Sequence, residues 1–188
     1  MLDTLVDAGL VRLTATDALG EPRYRLHDLI RTCAVEIAAQ LPTADKRDAI
    51  VRVLSVWLDL VGRGTGRLPG GLLAAAPGSA PRRSLPDGVV DRLMADPSGW
   101  FDTERDNLLG AVQLAVDWGL DEAAWELAAG TATYYDHRCL YQDRQHGHRL
   151  ALDAAEAAGN ARGASVLLRG PWPTAHLSGR VRPGDPCP

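Results

Sequence analysis

The chain has 188 residues, enough for one ordinary domain or two small ones, and a hydrophobic fraction of 46%, enough for a real core. Aromatic residues make up only 5%, so the apolar content is chiefly Ala, Leu and Val, which suit helices packed at close range. A net charge of −4, from 20 basic and 24 acidic residues, excludes a broad electrostatic footprint for nucleic acid, and it is too mild to keep the chain unfolded.

Met1 to Leu10 reads as the end of a helix: Leu2, Leu5 and Val6 share a face and Gly9 is placed to stop it. Leu10 to Thr16 then alternates, with Val11 and Leu13 on one side and Arg12 and Thr14 on the other. Asp17-Ala18-Leu19-Gly20 is a turn, and Arg23-Tyr24-Arg25-Leu26 is a second alternating run. A helix followed by such a hairpin is the back half of a winged helix. From Asp28 to Leu41 the residues Leu29, Ile30, Cys33, Ala34, Ile37, Ala38 and Leu41 predict an amphipathic helix with one buried face, stopped by Pro42. Thr43 is placed to cap the next helix, with a stripe of Ile50, Val53, Leu54, Trp57, Leu58 and Val61.

The character changes between Gly62 and Gly99, where 8 of 38 positions are Gly and 5 are Pro. This segment reads as a linker or a loosely packed loop, with a brief helical turn at Val89–Met94. Trp100 opens the second half. Leu108, Leu109, Val112, Leu114, Ala115 and Trp118 predict a helix ended by Gly119, and a second helix runs from Leu120 to about Tyr135. A third covers Leu140–Ala158, ended by Gly159-Asn160, and a fourth begins at Ala161 with Val166, Leu167 and Leu168. The stops at Gly119 and Gly159 lie 40 residues apart, a helix-hairpin repeat distance close to that of tetratricopeptide-like arrays.

The expected organisation is therefore a partial winged helix plus helical extension over 1–61, a Gly/Pro-rich linker over 62–99, tetratricopeptide-like repeats over 100–170, and a tail over 171–188. The expected fold class is mainly α: a partial winged helix with a small β-hairpin, then an α-hairpin array. The tail holds five prolines and cannot continue the helix begun by Leu167 and Leu168. It reads equally as a disordered tail or as a frame-shifted one: read one base later, the codon of Trp172 forces a Gly, and those of Val181 and Arg182 permit an aromatic residue followed by Asp. At the front, Met1 falls inside the last of the helices that a winged helix needs before its wing, so the start reads as cut, with apolar faces lacking their partners.

Cys33, Cys139 and Cys187 lie far apart, with no CxxC pair, so neither a disulfide framework nor a zinc site is expected and a reducing cytoplasm is the natural setting. No basic N-terminal region leads into an apolar run, and nothing approaches the about 18 continuous apolar residues of a membrane span.

Two segments carry a family resemblance: LVDAGLVR followed, after the turn, by YRLHDLIRTCA, and then WFDTERDNLLGAVQLAVDWGLDEAAWELAA. Together they resemble the region behind the nucleotide-binding domain in STAND-class signalling ATPases of the NB-ARC type, most of all the actinobacterial regulators of the antibiotic-regulatory kind. The resemblance runs from Leu2 to Gly170. It implies an ATPase core, a winged helix, a spacer and tetratricopeptide-like repeats, in that order. Leu26-His27-Asp28 matches the family's Met-His-Asp motif with Leu in place of Met. By that resemblance, His27 contacts the phosphate of bound ADP in the resting state, while Asp28 supports the start of the helix. The chain departs from the family in holding no G-x-x-x-x-G-K-[ST]: GRGTGRLPGG at 62–71 is Gly-rich but lacks the Lys-Ser/Thr. Any ADP contact of His27 therefore needs the missing ATPase domain, and no cofactor is expected in this chain alone.

Other chemistry is weakly signalled. The helix before the hairpin carries Asp3 and Asp7 and no base, which phosphate would repel, so direct DNA binding is not expected in spite of Arg12, Arg23 and Arg25. Asp136, His137, Cys139, His146 and His148 lack zinc spacing, and on a helix His146 and His148 point about 200° apart. No serine sits in a nucleophile-elbow pattern, so no enzyme is expected. Trp57, Trp100, Trp118 and Trp125 read as packing residues, and Tyr134 and Tyr135 either pack in the core or line a binding face. The expected role is a regulatory fragment of an ATP/ADP-switched signalling protein linked to transcription, its repeats binding a protein partner and its winged helix packing on the ATPase. The alternatives are a stand-alone winged-helix DNA-binding regulator and an inactive truncated product.

Overall fold

The structure is a computed structural model that describes residues 2–16, 20–70 and 77–169. The described chain is mainly helical, with a single two-stranded antiparallel sheet among those residues. It divides between Arg52 and Val53 into two compact units.

In the first unit, α1 (Leu2–Asp7) ends where Gly9 takes φ 67, and the N–H groups of Gly9 and Leu10 bond the carbonyls of Val6 and Leu5. Glycine closes this turn because a Cβ disfavours the left-handed region. β1 (Val11–Thr16) and β2 (Pro22–Leu26) pair with Val11 opposite Leu26 and Leu13 opposite Tyr24, and the register shifts between Leu13 and Ala15. The Thr14 hydroxyl donates to the Arg23 carbonyl at 3.1 Å beside that shift. The expected turn at Asp17–Leu19 lies outside the described residues.

α2 (Asp28–Gln40) forms as its pattern predicts, but it buries none of its residues. Leu29 is 71% exposed, Ile37 63% and Leu41, just past its end, 47%. The one buried face expected from the sequence is thus corrected: period 3.6 decides which residues share a face, and a covering element decides whether that face is dry. Among the described residues of this unit, Val11 is the buried hydrophobic one.

α3 (Thr43–Arg67) contributes its first residues to the first unit and the rest to the second. Thr43 lies inside the helix rather than capping it, since the Lys46 N–H already bonds the Pro42 carbonyl at 3.2 Å. The helix also continues beyond Val61 through Gly62, Gly64 and Gly66. Each interior glycine costs roughly 1 kcal/mol relative to alanine, and tertiary contacts outweigh that here. A Cβ at Gly64 would lie 3.0 Å from the Phe101 ring, the Thr65 hydroxyl donates to the Gly130 carbonyl at 2.6 Å, and Arg67 bonds the Met94 carbonyl at 3.0 Å. α4 (Asp87–Leu93) places Val90 and Met94 in the core. α5 (Pro97–Asp117) starts before Trp100: Asp96 accepts the Gly99 N–H at 3.0 Å and Pro97 occupies the first turn, where its missing N–H is harmless.

α6 (Asp121–His137), α7 (Tyr141–Ala157) and α8 (Ala161–Arg169) follow at short intervals. The three connections are copies of one another. Gly119, Cys139 and Gly159 each take positive φ, at 60°, 54° and 71°. The next residues, Leu120, Leu140 and Asn160, each donate an N–H to the carbonyl five positions back, on Ala115, Tyr135 and Ala155. This is the Schellman closure, which satisfies the last helical carbonyls and reverses the chain. Consecutive helices consequently pack, α5 on α6 and α6 on α7, and alternate ones meet as well, α5 on α7 and α6 on α8.

The core of this unit is built on Trp100, Phe101, Leu108, Trp125, Leu127 and Leu167. An aromatic ladder runs through it: Trp57 to Trp100 at 6.0 Å, Trp100 edge-on to Phe101 at 5.0 Å, Phe101 stacked on Tyr134 at 4.9 Å, and Tyr134 to Tyr135 at 5.2 Å. The tail beyond Arg169, and every expectation about it, lies outside the described residues.

Candidate functional site

His27 sits at the N-cap of α2, with extended backbone (φ −59, ψ 142). Its Nδ1 accepts the Leu29 N–H at 3.4 Å, so the ring itself caps the helix. In that contact Nδ1 is the acceptor, and Nε2 is the ring nitrogen not used in the cap. Asp28 follows in the first turn, where a carboxylate suits the helix dipole. The arrangement is a helix start capped by an imidazole, with a carboxylate in its first turn.

On the hairpin, Arg12 and Arg25 are exposed and directly opposite one another. Like charges facing across a ladder repel, so this pair is not there for the stability of the sheet. The short α1 before it presents Asp3 and Asp7.

In the second unit the structure separates the polar residues read as a possible metal site. Asp136 is paired with Arg144, His146 is exposed and His148 is buried. Among the described residues no group of three His, Cys, Asp or Glu could hold a metal ion. Tyr134 and Tyr135 are 1% and 3% exposed, so they are core residues and line no open face. Burial first, then the bond from its hydroxyl to Asp102 at 2.9 Å, pushes the Tyr134 phenol well above its usual range.

His148 ties three helices together. Its Nε2 donates to the Ala128 carbonyl of α6 at 3.2 Å, and its ring also bonds the backbone of Leu167 on α8. Burial, and then the charge of Arg144 one turn away, brings its pKa down to about 4, against the pull of those two bonds. The folded value lies below the ordinary 6.5, so the neutral ring is the form that folds. Stability is fully present above about pH 6.5 and is lost as pH falls toward 4. The expected loss between about pH 7 and about pH 4.5 is roughly 2–3 kcal/mol. Urea midpoints followed by circular dichroism should show it, and His148→Gln should flatten the slope in that window. An unchanged slope in the variant would assign the loss to other groups.

One constellation escaped sequence reasoning. Residues 77–84 lie across α6 and are held by two of its carboxylates. Glu122 Oε1 accepts the Ser79 N–H at 2.7 Å and the Ser79 hydroxyl at 3.0 Å, and its other oxygen accepts the Trp125 indole N–H at 2.8 Å. Burial alone would raise the Glu122 pKa, but these donors and the Asn160 amide bring it down to about 2. Glu126 accepts the Ala80 N–H at 2.8 Å and pairs with Arg82. The available signal was Glu at i and i+4 on a helix whose other face is apolar.

Alongside the array, the ends of α5 and α7 leave an open groove of about 530 Å3, lined by Val116, Leu150 and Ala154 together with Asp121 and Asp153. No helix among the described residues is long and apolar enough to cross a membrane. Comparison with protein-family models, with curated proteins and with solved structures returns no match.

Proposed function

We propose that this chain is the regulatory middle of an ATP/ADP-switched cytoplasmic signalling protein of the STAND, NB-ARC type, linked to transcriptional control. In this reading the first unit is the rear of a winged helix that packs on an ATPase domain, and α5 to α8 are tetratricopeptide-like repeats that bind a macromolecular partner. The observation that carries it is the threefold turn at Gly119, Cys139 and Gly159, which makes α5–α8 a regular stack of helical hairpins. Such stacks expose extended surfaces, and their common use is to hold other macromolecules. His27 supports the first half of the reading, because it stands at a helix start with Nε2 uncommitted to the cap. The apolar face of α2, with Leu29 and Ile37 exposed, fits a surface that another domain covers.

The test begins with the gene and its flanking sequence. An in-frame Walker-type ATPase upstream supports the reading; a confirmed gene with no such domain on either side sinks it. In the joined protein, His27→Ala should release bound ADP roughly tenfold faster, the loss of about one charge-assisted hydrogen bond. Nucleotide content after gel filtration reads this directly, and equal ADP retention by the variant removes His27 from the switch.

A further inference from the structure

The ends of α5 and α7 form a site of defined chemistry. The two helices run in the same direction: Arg105 pairs with Asp143, and a Cβ at Gly147 would lie 3.5 Å from Leu109. Their C-terminal ends therefore reach the same edge of the array, where α6 also begins at Asp121. Between them lies the open groove of about 530 Å3. It is lined by Val116, Leu150 and Ala154, by the exposed Ala157, and by the carboxyl residues Asp121 and Asp153.

Of the two acids, Asp121 meets a neutral amide and Asp153 an exposed cation. Asp121 is held in place by the Asn160 amide at 2.7 Å. Asp153 is 65% exposed and meets Arg149, itself 73% exposed, at 3.5 Å. An exposed i,i+4 pair of that kind contributes little, so a better-placed cation can replace Arg149 at small cost. An apolar lining beside two carboxylates fits an amphipathic cation, one that lays a methylene stem on the apolar side chains and brings its charged head to the acids. Small side chains at 154 and 157 let such a group approach closely.

Resting on the reading of α5–α8 as a partner-binding array, we infer that this groove docks a basic segment of a protein partner. A Lys or Arg side chain lies across Val116, Leu150 and Ala154 with its head between Asp121 and Asp153. Asp121 and Asp153 repel phosphate, so the occupant is a polypeptide and not a nucleic acid.

The experiment uses the whole chain, isotope-labelled, titrated with a short acetylated peptide of alternating Leu and Arg and with its Leu/Glu counterpart. The Arg peptide is expected to move the amide signals of Val116, Leu150 and Ala154, while the Glu peptide leaves them in place. Asp153→Lys should weaken the Arg peptide by roughly tenfold or more. Ala157→Trp, at an exposed position that leaves the core untouched, should block it. Shifts spread over the whole acidic surface, or binding indifferent to both substitutions, would mean attraction by net charge only and would overturn the proposal. Binding of either peptide elsewhere on α5–α8 overturns the groove and leaves the array reading standing. Silence with both peptides overturns the groove as well, and the array reading then rests on the gene and His27 experiments.

Discussion

Trp125→Ala is expected to lower the stability of the second unit by about 3–5 kcal/mol. The indole is 1% exposed, and two backbone segments approach it at glycine. At Gly163 of α8 a Cβ would stand 2.5 Å from its Cδ1, and at Gly78 the same ring blocks any side chain. Trp125 is therefore the surface on which both α8 and the 77–84 segment seat. Truncation leaves a cavity that neither segment can fill, because each was built with no side chain at the contact. It also takes the indole N–H from Glu122 Oε2 and removes the ring beneath Arg162, whose guanidinium carbon lies 5.8 Å from the ring centroid. Trp125→Phe separates these contributions, since it keeps most of the volume and loses the donor. Chemical denaturation followed by circular dichroism reads both variants. A loss below about 1 kcal/mol for the alanine variant would show that the site collapses without consequence and that the close approaches do not hold α8.

Much of this architecture was legible in the residues, and where it was not the reasons are physical. Helix existence followed from apolar periodicity, and the stops at Gly9, Gly119 and Gly159 followed from the left-handed backbone that closes a Schellman turn. Cys139 adopts the same conformation without being glycine, so the third copy of the turn was hidden. With it the spacing of turns is one per helix, not one per hairpin. The Gly-rich stretch after Val61 read as linker because local propensity disfavours a helix there. Contacts with Phe101, Met94 and Gly130, distant in sequence, decide otherwise. Burial failed in the opposite sense at α2, whose stripe is well formed and uncovered. For the candidate site, His27 was marked by a motif, whereas the groove and the Glu122 and Glu126 clasp arise only when separate helices align. No period or spacing in one segment encodes an alignment of that kind.

The clasp makes the other large prediction. Arg82→Met should destabilise the chain by about 3–5 kcal/mol, more than the removal of its partner does. The asymmetry comes from exposure. The Glu126 side chain is 1% exposed and that of Arg82 is 30% exposed. Without the guanidinium, a carboxylate stays buried with the Ala80 N–H as the remaining bond between it and the 77–84 segment. Without the carboxylate charge, as in Glu126→Gln, the Ala80 N–H keeps an acceptor and Arg82 turns to water, at a cost nearer about 1 kcal/mol. The double variant Arg82→Met/Glu126→Leu removes both charges together and should recover a large part of the single Arg82→Met loss, because apolar replacement of a buried pair is often nearly neutral. A full thermodynamic cycle from urea midpoints tests this ordering. If Arg82→Met proves as mild as Glu126→Gln, the carboxylate reaches water when its partner is gone, and the 77–84 segment is not clamped to α6 through Glu126. If the ordering holds and the double variant recovers, the clamp is electrostatic, and its strength derives from the desolvation of one partner rather than from the attraction between two.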